Sequence, residues 1–261
     1  MPKHIESVLI AIAILGIAVQ VWALEAGMPT GPFESFSDAA VARQVFGIPP
    51  GGGEARVLWA RHWDADGAPR LAVIAETGSG EDGMCEDCRR LVRLAVFARD
   101  GDRLREIASA ELENVGNIAK PFLAVEDQGL SIDDSGGFPF AAGETLLPIV
   151  HEWKEAGGNR ITVTLFRLAN STLVPVFERV ILDDPADFDP DSESMEAWVE
   201  AGDVPGGANT YARIEVSEGY FSQFAGEKVE LDGQRVEVWE FDGARYAMRN
   251  CEETGGAGTT D

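Results

Sequence analysis

Beyond the first fifty residues, apolar and polar positions trade places in short runs separated by turns that carry glycine and aspartate, and the rhythm holds almost to the end of the chain. This is the pattern of paired β-strands, in which successive side chains point to opposite faces. It is clearest at Ile161, Val163 and Leu165, which share one face while Thr162, Thr164 and Phe166 share the other. Runs of this texture cover Arg56 to Trp63, Arg70 to Thr77, Leu91 to Ala98, Arg103 to Ala108, Phe122 to Glu126, Leu147 to Trp153, Arg160 to Leu168 and Thr172 to Leu182, and three more follow. Pro175 marks its strand as an edge or a bulge, because proline cannot donate to a ladder.

Asp66-Gly67, Asp100-Gly101, Asp232-Gly233 and Asp242-Gly243 stand between such runs, and Asp-Gly suits tight hairpins whose central residues need positive φ. The last two pairs predict a three-stranded sheet from Lys228 to Leu231, Gln234 to Phe241 and Ala244 to Arg249, with Val236, Val238 and Tyr246 among its apolar residues. The fold class that follows is all-β: antiparallel meanders of about 11–13 short strands, arranged as a partial propeller or a sandwich.

Other segments differ in kind. Lys3 and His4 precede an apolar run from Val8 to Leu24, broken only by Gly16 and Gln20, which predicts an N-terminal hydrophobic helix. It has the layout of an export signal cleaved after Ala23, with Ala26 as a second site. Retention as a membrane anchor is the rival reading, and Trp22 would suit a membrane interface. Ser37 predicts the cap of a short helix through Val41 and Val45, ended by Gly47 with Pro49 and Pro50, before a Gly51-Gly52-Gly53 linker. Asp183 to Glu200 concentrates acid around Pro185 and Pro190 and predicts a long loop followed by a short helix from Met195 to Ala201. The tail from Glu252 to Asp261 lacks apolar periodicity and predicts disorder. The chain thus divides into a leader (1–23), a helix and linker (24–54), one β domain (55–251) with an acidic loop (183–200), and a tail (252–261).

Charge then narrows the partners. The formal net charge is −24, from 45 acidic and 21 basic residues. Such a surface repels nucleic acid and anionic lipid, so any membrane contact is expected only through an uncleaved N-terminal segment. It suits divalent cations, basic protein partners or plain solubility.

Motifs with chemical content are few. Cys85 and Cys88 form a C-x-x-C between two strands, which predicts a disulfide staple across a hairpin loop. The acids Glu86 and Asp87 between them oppose a reactive thiolate. Arg89 stands where a c-type haem motif needs histidine. Cys251 is the odd thiol: buried, free or paired between chains. Gly78, Gly80 and Gly83 match a dinucleotide fingerprint in spacing, but Glu81 and Asp82 would face the pyrophosphate and no helix pattern follows. Asp187, Asp189, Asp191 and Glu193 repeat hard oxygens at every second residue and are the candidate ligands for a weak calcium site; no other cofactor is expected. As an EF-hand the run fails, with Ser194 in place of the turn glycine and Pro190 near its start. His62 and His151, the two histidines beyond the leader, read as ordinary strand residues beside Trp63 and Trp153. There is no G-x-S-x-G and no H-E-x-x-H.

The stretch from Leu71 to Glu111, with its apolar strand, acidic loop, C-x-x-C and Leu91-Val92-Arg93-Leu94-Ala95-Val96-Phe97, resembles a pattern in uncharacterised exported bacterial proteins. The closing Glu240-Phe241-Asp242-Gly243-Ala244-Arg245-Tyr246 is similar to their C-terminal hairpin. The resemblance implies an all-β fold, with a partial propeller among its forms, and no assigned activity. The functional expectation is a periplasmic or extracellular, non-catalytic binding or accessory module of the cell envelope with a protein partner. Its alternatives are an extracytoplasmic hydrolase with a carboxylate-based or calcium-assisted site, and a membrane-anchored accessory subunit of a larger complex.

Overall fold

A computed structural model describes residues 29, 31–49, 55–77, 91–112, 130, 136–155, 158–184, 193–204, 206–207, 210–224 and 227–254. The hydrophobic leader, the C-x-x-C loop, the glycine-rich acidic loop, the Phe122 to Glu126 strand and residues 255–261 lie outside them. Among the described residues no helix is long and apolar enough to cross a membrane.

The protein is all-β, and its described residues form twelve strands in two antiparallel meanders. The first sheet pairs β1 (Ala55–Asp64), β2 (Pro69–Thr77), β3 (Leu91–Asp100) and β4 (Arg103–Glu111) in sequence order. The second pairs β5 (Phe138–Ala141), β6 (Glu144–Glu155), β7 (Gly158–Ala169), β8 (Thr172–Asp184), β9 (Glu193–Ala201), β10 (Ile214–Phe224), β11 (Glu227–Phe241) and β12 (Tyr246–Thr254), again neighbour to neighbour. The helix α1 (Asp38–Val45) begins after Ser37, whose carbonyl accepts the Ala40 and Val41 N–H groups while its hydroxyl makes no cap bond.

Strand alternation sorts the apolar residues into three buried layers. Val41, Ala42 and Val45 of α1 pack on Leu71, Val73, Ala95 and Phe97, one face of the first sheet. Its other face, with Trp63, Ile74, Leu94 and Val96, meets Leu147, Ile149 and Phe166 of the second sheet. The far face of the second sheet carries Leu146, Val150, Ile161, Val163 and Leu165 into the third layer. The parity read at Ile161 to Phe166 therefore holds, and the core shared by the two sheets makes the arrangement a layered sandwich.

The second sheet also rolls up on itself. Its first strand meets the approach to β10 where Ala212 N–H donates to the Phe140 carbonyl at 2.7 Å. Phe140 packs edge-on against Phe241 of β11 and Tyr246 of β12, at centroid distances of 5.0 and 6.2 Å. Edge strands β5 and β12 are thus drawn together around one aromatic cluster. The ladder is thinnest between β8 and β9, where only Leu182–Glu196 and Asp183–Met195 pair among the described residues.

Several local expectations are corrected. Met195 to Ala201 is strand β9: Ala197 and Val199 are buried while Trp198 and Glu200 are exposed, a period of two. Met195, Trp198 and Val199 imitate helical spacing, but pairing with β10 along the whole segment decides the conformation. Lys228 to Leu231 and Gln234 to Phe241 are one continuous strand. Between Gly219–Gln234 and Phe221–Glu230 the register shifts, so Leu231, Asp232 and Gly233 stand opposite Tyr220 alone, a bulge where a hairpin was expected. Glu252 to Thr254 continue β12, so the chain stays ordered past the expected start of the tail. Asp66-Gly67 and Asp100-Gly101 do turn between strands, with glycine φ of +73° and +60°. Pro175 sits at a bulge: Leu165 pairs with Phe177 and Phe166 with Pro175, leaving Val176 extra.

Candidate functional site

Two polar arrangements stand out: a cleft at the junction of the sheets and a buried ionic cluster inside the rolled sheet.

The junction is fixed by a short relay of hydrogen bonds. Trp63, fully buried at the end of β1, donates from Nε1 to Thr145 Oγ1 at 3.0 Å. Thr145 Oγ1 in turn donates to the Asp64 carbonyl at 2.8 Å. Gly137 lies so close that a Cβ there would stand 2.2 Å from Thr145 Oγ1. These contacts pin the β1–β2 turn against the start of β6, and a cleft of about 580 Å³ opens beside them.

Opposite walls of the cleft carry ion pairs. On the first sheet Arg70 Nη2 donates to both Asp66 oxygens at 3.0 and 2.8 Å. On the second, Arg167 donates from Nε and Nη2 to the two Glu144 oxygens at 2.8 and 3.3 Å. The Arg167 guanidinium also lies 4.8 Å from the Phe140 ring centre, within the aromatic cluster, and the Glu144 bond raises it further above its usual pKa. Arg105 of β4 adds a third guanidinium, exposed and without an ion pair among the described residues. Arg70 Nε is buried with no hydrogen-bond partner. The two-residue β7–β8 turn completes the rim, with Asn170 and Ser171 at φ +49° and +61°, left-handed geometry without a glycine.

The ionic cluster spans the thin place in the second sheet. Arg179 of β8 reaches across to Glu218 of β10 and Glu237 of β11, both carboxylates being 2% exposed. Arg235 Nη2 lies 2.8 Å from Glu237 Oε1. The Tyr220 hydroxyl donates to Glu218 Oε2 at 2.9 Å, and Trp239 Nε1 to Glu237 Oε2 at 3.0 Å. Three of the four carboxylate oxygens accept hydrogen bonds, while Glu218 Oε1 is buried without a hydrogen-bond partner and is met by Arg179 as an ion pair. Cys251 is a free, exposed thiol beside this cluster, and Arg235 Nε donates to its Sγ at 3.0 Å.

Of the candidate calcium ligands, Glu193 opens β9 and is exposed, while Asp187, Asp189 and Asp191 lie outside the described residues, as do Cys85 and Cys88. Among the described residues no three His, Cys, Asp or Glu side chains gather closely enough to hold a metal. His62 lies on β1 with its ring 5.3 Å from Phe33, and His151 lies half-buried on β6. Burial lowers the His151 pKa, and the nearby charge of Glu178 partly opposes that.

The sequence reading did not single out Arg70, Arg105, Arg167, Glu144, Arg179, Glu218 or Glu237. One signal was present: Arg167 continues the inward parity of Ile161, Val163 and Leu165, and Glu218 that of Ile214 and Val216. A charge on a core-facing position needs a partner, and each of these has one. No protein-family model matches the chain, and no curated protein or solved structure matches it either.

Proposed function

We propose that the chain is an exported, non-catalytic binding or accessory module of the cell envelope, and that it binds through the cleft where its two sheets meet. The observation that carries this reading is the convergence of Arg70, Arg105 and Arg167 on one cavity in a chain with more than twice as many acids as bases. Two of the three are locked in place by carboxylates and one is open, which is the arrangement of a preorganised recognition site. The leader pattern supports export, and the acidity suits a soluble envelope protein.

A hydrolase is the second reading, favoured by the closely placed buried carboxylates Glu218 and Glu237. Against it stands their geometry: both carboxylates are 2% exposed and ion-paired with Arg179, and Glu237 with Arg235 as well, so neither is open to exchange a proton with a substrate. The test is a thermal-shift screen of small molecules alongside glycan, ester and peptide hydrolysis assays on the purified protein. A compound that raises Tm, is recovered unchanged and loses its effect in Arg105→Gln supports the binding reading. Turnover that disappears in Glu218→Gln or Glu237→Gln sinks it.

A further inference from the structure

Building on the binding reading, we infer that the junction cleft takes a small ligand with an oxyanion headgroup and hydroxyl groups on its body, the chemical class of the sugar acids. The lining holds three arginines, Arg70, Arg105 and Arg167, against two carboxylates, Asp66 and Glu144. Its formal balance is one positive charge within a chain of −24. A cation would meet that excess unfavourably, and an apolar ligand would strip water from five charged groups without replacing its bonds.

The division of labour among these groups narrows the ligand further. Arg167 is clamped by Glu144 and held against Phe140, so its guanidinium is committed. Arg105 is not, and a planar fork of donors on an exposed side chain is suited to a carboxylate or phosphate. The Nε of Arg70 also lacks an acceptor, but it is buried and out of a ligand's reach, which leaves Arg105 as the guanidinium that meets the headgroup. Among the described residues, Asp66 and Glu144 each accept only from their arginine. A carboxylate has about four acceptor positions, so both retain lone pairs that a ligand's hydroxyls can fill. Between the polar groups, Ala65, Ile107, Leu168 and Ala169 offer an apolar surface for the carbon skeleton. The volume of about 580 Å³ lies within the range of small-molecule sites.

The experiment is calorimetric titration of the full chain with glucuronate, glucose and inorganic phosphate in low salt, repeated with Arg105→Gln. Arg105 is exposed, so this variant keeps the wild-type Tm and circular dichroism. The expected result is saturable glucuronate binding that weakens about tenfold to a hundredfold in Arg105→Gln and weakens again as salt is raised. Glucose and phosphate should each bind at least about tenfold less tightly, since each offers half of the recognised chemistry. Glucose binding as tightly as glucuronate overturns the inference, as does glucuronate binding that ignores Arg105→Gln. Phosphate binding as tightly as glucuronate overturns it too, by showing that hydroxyls are not read. If none of the three binds while other screened compounds act through Arg105, this ligand class is wrong and the binding reading stands. Carboxylate-dependent hydrolysis in the earlier assay would remove that reading itself.

Discussion

Gly137 shows how much one missing methyl group can decide. A Cβ there would lie 2.2 Å from Thr145 Oγ1 and 2.4 Å from Thr145 Cβ, and Thr145 cannot swing away without releasing Trp63 and Asp64. Gly137→Ala is expected to cost about 3 kcal/mol in chemical denaturation, and Thr145→Ala in the same chain should recover part of the loss. Ser171 gives the opposite case, since its φ of +61° is strained for any residue with a side chain. Ser171→Gly should therefore stabilise the protein by about 0.5–1 kcal/mol, and an unchanged or lower denaturation midpoint would contradict that. His151 sets a pH dependence whose sign is fixed by its lowered pKa. Below about pH 6.5 an unfolded histidine takes up a proton that the folded one still refuses, so stability is full above that pH and is lost as pH falls toward the folded value. Melting from pH 7.5 to 5.5 should show this decline, and His151→Gln should flatten it.

At the scale of the element, the weak point is the seam between β8 and β9, where two residue pairs among the described residues stand in place of a full ladder. Arg179 ties the two sides together through Glu218 and Glu237. Removing it leaves two buried carboxylates with one arginine, so Arg179→Ala should cost about 3 kcal/mol, more than Arg249→Ala in the exposed pair with Glu240. The β11–β12 turn is set by Asp242, whose Oδ1 accepts the Arg245 and Ala244 N–H groups, and these bonds lower its pKa. Elements were legible wherever the period of two was carried by apolar residues, as in β7, or where Asp-Gly ended a run, as after β1 and β3. They were misread where acids supplied the outward positions, as in β9, and where Asp232-Gly233 served as a bulge. Turn chemistry alone does not reveal whether the strand resumes in the same direction. The cleft was not legible because its walls come from Asp66, Arg105, Glu144 and Arg167, brought together only by the packing of one sheet on the other.

Over the whole molecule, the excess of acids makes the folded state repel itself. Raising sodium chloride from about 10 mM to about 300 mM shortens the Debye length from roughly 30 Å to roughly 6 Å, so Tm should rise with salt. The Arg105 ion-binding contribution should fall over the same range, which separates global repulsion from local recognition. Three stacked layers, α1 on the first sheet, that sheet on the second, and the second around its own core, place the polar cleft at a rim between rigid walls. A site so placed can be preorganised while remaining open to solvent.

The meeting of Phe140 with Tyr246 has a consequence for how the protein is made. Within each sheet every strand after the first pairs with the one before it, so each ladder can zip up as the chain is synthesised. The interior of the second sheet nevertheless waits for its last strand, because Tyr246, whose hydroxyl donates to the Ala212 carbonyl at 2.9 Å, is the lid of that core. A nascent chain held just short of Tyr246 would be an open trough with its aromatic lining wet, and a chaperone that recognises apolar surface would find its target there until the final hairpin emerges.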